Sequence, residues 1–228
     1  DKGPFYAMPL VAGGPNTKGG LLADADRKVL ARVIVPTQVT HNGLRLGSIT
    51  PSVGSPNSIV VDNFGKRYEA ETKVTDNPSR YFFYKAAVSF DISALSYPRT
   101  PSWMIFDEKL RASKPLVGLG ISVVGYGLVD WDEKNEKPLA SGLILKADSI
   151  EELANLIKNH PENKGRMVPQ NLVETVTRFN QFCDDKKDAD FGRRPATLGK
   201  NRLGGNGINC AVTFGRIAAE TIHKAAPI

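Results

Sequence analysis

Sustained helical periodicity is confined to the last third of this chain, and that restriction shapes what the sequence can build. Asp148-Ser149-Ile150-Glu151 predicts a helix running to about His160, with Asp148 and Glu151 three apart as a capping-box signal. A second helix is expected from near Pro169, where Leu172, Val176, Phe179 and Cys183 recur at helical spacing and define one buried face. Asp184 to Arg194 reads as a charged loop. A last helix is expected from about Gly207 to Lys224, led by Gly204-Gly205-Asn206-Gly207.

The earlier part of the chain is cut into shorter pieces. Gly3 to Leu10 is an extended apolar stretch punctuated by prolines, followed by a turn-rich loop in which Gly19 and Gly20 permit a close approach to the main chain. Residues 36–58 read as loop. Ser58 to Asp62 is a short β-branched strand, and Asn63-Phe64-Gly65-Lys66 turns it back into Arg67-Tyr68. Arg67 and Glu71, four apart, read as a structural ion pair. Residues 80–145 mix aromatics, prolines and glycines without a clean period and are expected to form short strands and loops.

Bulk properties narrow the function classes. With 228 residues, 41% hydrophobic and 24% charged, the chain has enough apolar material for one large domain or two modest ones. The net charge is +6, but the 30 basic residues are scattered. No stripe for nucleic acid is formed, although a basic surface helps draw in an anionic cofactor or substrate. Cys183 and Cys210 lack metal-ligand spacing and read as free thiols, which fits a reducing, cytoplasmic setting. His41, His160 and His223 lie far apart and read as surface or helix-end residues, so no metal site is expected. No apolar run approaches the ~20 residues that span a bilayer. Asp1-Lys2-Gly3-Pro4 does not read as a secretory leader.

Several segments together resemble one family. They are Ser58 to Tyr68, Ala147 to Ala154, Thr175 to Asn180 continuing to Asp190-Phe191-Gly192-Arg193, and two further sets. The first set is Gly3 to Leu10 with Thr17 to Leu21. The second is Asn201 to Gly207 with Thr213 to Ala219. Their joint occurrence resembles the FAD-dependent fumarate reductase/succinate dehydrogenase flavoproteins, a group that includes the 3-ketosteroid dehydrogenases. The resemblance implies an α/β fold: an α+β cap-like substrate domain over residues 47–200, with parts of an FAD-binding domain at 1–46 and 201–228. It also implies FAD as cofactor, a small-molecule substrate and an external electron acceptor.

The same resemblance assigns residues. Gly19, Gly20, Gly204, Gly205, Asn206 and Gly207 would lie against the flavin. For the last four, an ordinary glycine-rich helix start is the other reading. Arg202 matches an arginine that grips a substrate carboxylate, and reads equally as a surface arginine. Tyr6 lies in a stretch that faces the flavin in relatives. It is either a hydrogen-bond donor or acid/base with a lowered pKa, or the partner of Phe5 in an aromatic pair.

Four departures bear on activity. No G-x-G-x-x-G turn for a dinucleotide pyrophosphate occurs in this sequence. The segment order also differs from the family's, so the chain reads as a permuted, trimmed or incomplete version of a longer enzyme. Asn16 and Thr75 stand where fumarate reducers place a carboxylate-binding His and a proton-donating Arg, which disfavours fumarate. The tyrosine that ketosteroid dehydrogenases carry near the final glycine loop is missing from Asn201-Arg202-Leu203 as well. The resulting expectation is dehydrogenation or reduction of a carbon–carbon bond next to a carbonyl, in a steroid or other bulky enone. The alternatives are a fumarate reductase-like dicarboxylate enzyme and a cofactor-free binding or structural module.

Overall fold

In the computed structural model the structure describes residues 4–11, 35–36, 39–41, 44–46, 52–74, 80–117 and 130–199. In chain order the strands are β1 (Phe5–Val11), β2 (Val35–Pro36), β3 (Val39–His41), β4 (Leu44–Leu46), β5 (Ser58–Val61), β6 (Ser102–Asp107) and β7 (Leu145–Ala147). The helices are α1 (Arg80–Ala87), α2 (Glu108–Ser113), α3 (Glu136–Ala140), α4 (Ile150–Asn159) and α5 (Pro169–Asp184). This is the mixed α/β class that the sequence predicts.

The apolar opening stretch becomes the middle of an antiparallel sheet. β1 pairs with β6 from Phe5 opposite Asp107 to Leu10 opposite Ser102, and β5 takes the far edge of β6. The other edge of β1 is shared, with β7 opposite Phe5–Ala7 and β2 opposite Leu10 and Val11. Successive side chains leave a strand on opposite faces. One face therefore sets Phe5, Ala7, Ile59, Val61, Trp103 and Ile105 against α4 and α5. The other sets Tyr6, Met8, Val60, Met104 and Phe106 against Phe83, Leu110, Leu116, Trp131 and Ile144. Both faces are covered, so the central strands read as continuous apolar runs rather than as an alternation. The sheet also crosses the division expected at residues 46/47, because β1 bonds directly to strands from the 47–200 region.

Local signals are placed well, with shifts of one residue. The β5 strand and its turn form as expected: Asp62 N–H donates to Lys66 O at 2.9 Å, and the Asp62 carboxylate accepts from Phe64 and Lys66 N–H. The cap of α4 is Ser149 rather than Asp148. Its hydroxyl accepts from Glu152 N–H, and Glu152 reaches back to Asp148 N–H, each at 3.1 Å. On α5 the buried face closes with Phe182, and Cys183 is only partly buried beside it. His160 follows α4 as its C-cap, edge-on to Trp103 with ring centroids 5.2 Å apart.

Two expectations change. Residues 36–58 contain two short strands, β3 and β4, paired antiparallel from Val39 opposite Leu46 to His41 opposite Leu44. The 80–145 stretch holds α1, α2 and α3 beside β6 and β7. Helices this short have too few turns for a legible period and are held by tertiary packing, here through Phe83, Ala87 and Leu110. None of the helices among the described residues is long and apolar enough to cross a membrane.

Candidate functional site

Of the site residues that the resemblance assigns, Tyr6 lies within the described region. Being adjacent on a strand, Phe5 and Tyr6 point to opposite faces and do not form a pair. Tyr6 instead stacks on Phe106, with centroids 5.5 Å apart and the rings 14° from parallel. Its hydroxyl donates to Glu108 Oε2. Asp107 presents that carboxylate by ending β6 and capping α2: its Oδ1 accepts from Leu110 N–H at 3.0 Å, which makes Glu108 the first helical residue. One turn on, Arg111 grips Glu108 through Nε at 2.7 Å and Nη2 at 2.6 Å, and reaches Glu136 Oε1 at 2.8 Å.

These contacts decide the chemistry of the phenol. Burial, then the Glu108 carboxylate, push the Tyr6 pKa up, not down as an acid/base role would favour. The bidentate Arg111 contact, helped by Tyr6, holds Glu108 below the usual carboxylate range. Near neutral pH the arrangement is a neutral phenol with its proton committed to a carboxylate. It ties β1 to α2, and Tyr6 is 1% exposed. Both faces of the Phe5–Met8 segment are buried, and both edges of Phe5–Ala7 are paired.

Among the described residues the densest electrostatic cluster is elsewhere, around Arg67, Glu71, Asp188 and Arg193. The expected Arg67–Glu71 pair is present, with Nε to Oε1 at 2.8 Å and Nη2 to Oε2 at 2.9 Å. Arg67 also bonds Asp188 Oδ2 at 2.9 Å. Arg193, 1% exposed, donates to Glu71 and to the carbonyls of Gly54, Ser55, Ser58 and Thr197. Phe179 lies near both guanidiniums, at 4.7 Å from Arg67 and 5.2 Å from Arg193. Burial alone would raise the Glu71 pKa, but Arg67 and Arg193 outweigh it and hold it low. Two cations and two anions cancel, so the cluster is a structural knot rather than a charged reaction centre. Beside it, Lys66, Arg178, Phe182, Asp190 and Phe191 help line a cleft of about 120 Å³. That is below the roughly 300–1,000 Å³ of ligand pockets.

The other assigned residues, Gly19, Gly20, Arg202, Gly204, Gly205, Asn206 and Gly207, lie outside the described residues, as do Asn16 and Thr75. The sequence reading missed Glu108, Arg111, Asp188 and Arg193 as partners. A signal existed for the first two, since an Asp cap followed by acid and base three apart marks a helix start. Their meeting with Tyr6, about a hundred residues away in the chain, leaves no local trace.

Comparison with known proteins gives a partial match. Over 139 residues the chain is 29% identical to the 3-oxosteroid 1-dehydrogenase of Mycolicibacterium smegmatis. The similarity is to dehydrogenases. Two 3-oxosteroid 1-dehydrogenases from strains of Mycobacterium tuberculosis are 26% identical over stretches of the same length. In each case 61% of this chain is covered, and the chain spans 21% of the relative's length. No family model matches the chain, and no solved structure is significantly similar to it.

Proposed function

We propose that these residues belong to an FAD-dependent oxidoreductase that dehydrogenates or reduces a carbon–carbon bond next to a carbonyl. The proposed substrate is a steroid or other bulky enone, and an external acceptor or donor takes part in electron transfer. The observation that carries this reading is the 139-residue similarity to three 3-oxosteroid 1-dehydrogenases. Asn16 and Thr75 support an enone over a dicarboxylate, because neither supplies the cation or acid that fumarate reduction needs.

In this proposal residues 47–200 form the substrate cap, joined by the strand at 5–11. Gly19, Gly20 and Gly204 to Gly207 approach the flavin, and Arg202 contacts substrate. The missing pyrophosphate-binding turn is assigned to polypeptide beyond these 228 residues or to a partner chain. An intact mass above 24.8 kDa would agree with the first of these. Bound FAD would supply the two-electron acceptor or donor for the reaction.

Steady-state rates of the complete enzyme with a 3-keto enone steroid and with fumarate test the reading. Enone turnover with little fumarate turnover is expected, and rapid fumarate reduction would overturn it. Changing Arg202 to Ala should lower the rate about a hundredfold, as loss of a charged donor at developing negative charge does. One observation favours the rival, a cofactor-free binding module: the strand bearing Tyr6 is paired and packed rather than open to a ring system. Purified complete protein without a flavin absorbance band would decide for it.

A further inference from the structure

Between α1 and β6 the chain makes a tight turn that carries its apolar side chains outward. Asp91 N–H donates to Ser96 O at 2.9 Å, and Ser96 N–H returns to Asp91 O at 3.2 Å. The carboxylate of exposed Asp91 folds over the turn's own backbone, accepting from Ser93 and Ala94 N–H at 2.8 and 3.1 Å. At the tip Ile92 and Leu95 are 81% and 77% exposed, and at the base Phe90 and Tyr97 are 47% and 44% exposed. The two rings meet edge to face at 5.0 Å. Leu95 holds a φ of +45°, an uncommon angle for a bulky residue that has no burial to reward it. The base is tied to α1 by Arg99 Nη1, which donates to Ala86 O at 2.8 Å, and Lys85 is exposed on that helix's last turn.

We propose that this turn inserts into the surface of a phospholipid bilayer containing anionic lipids. Ile92 and Leu95 enter the acyl boundary, and Phe90 and Tyr97 sit at headgroup level. The order of side chains, aliphatic at the tip and aromatic at the base, matches the polarity gradient of that interface. The turn is already closed by its own hydrogen bonds, so insertion orders little additional chain. A second copy of the chain suits the patch less well. Four side chains at these exposures present on the order of 400–500 Å², about half of the ~800 Å² per partner in a stable interface. Exposed Lys85, on the helix turn beside the base, adds attraction to anionic headgroups. Membrane contact also suits the proposed apolar substrate class, but the turn's geometry stands apart from that reading, and the test involves no turnover.

The test is flotation of the full-length protein with vesicles of phosphatidylcholine and phosphatidylglycerol at 3:1, beside its Ile92→Glu/Leu95→Glu double variant. Both changed positions are solvent-exposed, so circular dichroism and melting should match wild type. The wild type is expected to float, and the double variant's partition coefficient should fall at least tenfold. In a separate Tyr97→Trp reporter, vesicles should shift the emission to the blue and brominated lipids should quench it. A wild type that stays at the bottom, or a double variant that floats as well as wild type, overturns the proposal. So does a concentration-dependent dimer that the double variant dissociates, which would make a second copy the occupant.

Discussion

Gly65 and Tyr6 show how differently single residues can be read. Gly65 holds a φ of +89°, and a Cβ there would lie 2.9 Å from Leu172 N and 3.0 Å from Met167 Sδ. Both the backbone angle and the space therefore demand glycine, and the turn around it was legible as Asn63-Phe64-Gly65-Lys66. Gly65→Ala should cost about 2 kcal/mol or more in urea unfolding, through strain and the displacement of α5. Tyr6 was legible as an aromatic in an apolar stretch, but its partner Glu108 was not. Tyr6→Phe keeps the stack on Phe106 and removes one hydrogen bond to a charged group, so unfolding free energy should fall by about 1–2 kcal/mol. An unchanged stability would remove the phenol from the β1–α2 tie.

At the scale of elements, α4 was the best-defined expectation and still moved by one residue at its cap. Asp148, Ser149, Glu151 and Glu152 offer two overlapping capping boxes, one residue apart. The structure takes the register that buries Ile150, Leu153, Ala154 and Ile157 against the sheet. Packing of the apolar stripe thus chose between caps that local chemistry leaves close in energy. Ser149→Ala is expected to lower stability by about 1 kcal/mol, while Asp148→Ala, whose side chain does not cap the helix, should be near neutral. Equal losses in thermal melts of the two variants would contradict the observed register. The same logic explains α5, where Phe182 rather than Cys183 completes the face toward the core.

Across the whole molecule, the knot of Arg67, Glu71, Asp188 and Arg193 joins the β5 region to the chain after α5 and sets an acid limit on stability. Burial opposes the charged forms of Glu71 and Asp188, yet the arginines hold both pKa values below their ordinary 4.5 and 3.8. A carboxylate with a lowered folded-state pKa contributes stability that is present above its unfolded value and is lost as pH falls through the folded one. Stability should therefore decline below about pH 4.5 as these groups take up protons. Asp188→Asn should lower stability at pH 7 by about 3 kcal/mol and flatten this acid limb. Urea midpoints measured from pH 7 to pH 3 check both effects, and parallel curves for variant and wild type would refute the assignment.

The sequence by itself determined what acts over a few residues: the β5 strand and its glycine turn, the Arg67–Glu71 pair, the helices beginning near residues 149 and 169, and the apolar character of residues 5–10. Each depends on backbone angles, capping groups or side-chain spacing within a turn or two, and such terms are readable locally. Only the tertiary structure decided that Phe5–Val11 lies inside the sheet, that Tyr6 meets Glu108, and that Arg193 closes on the carbonyls of Gly54, Ser55 and Ser58. Those contacts join segments that are about a hundred residues or more apart. They form because burying both faces of the sheet brings unrelated segments together, and the buried polar groups must then find partners among whatever packing has placed beside them.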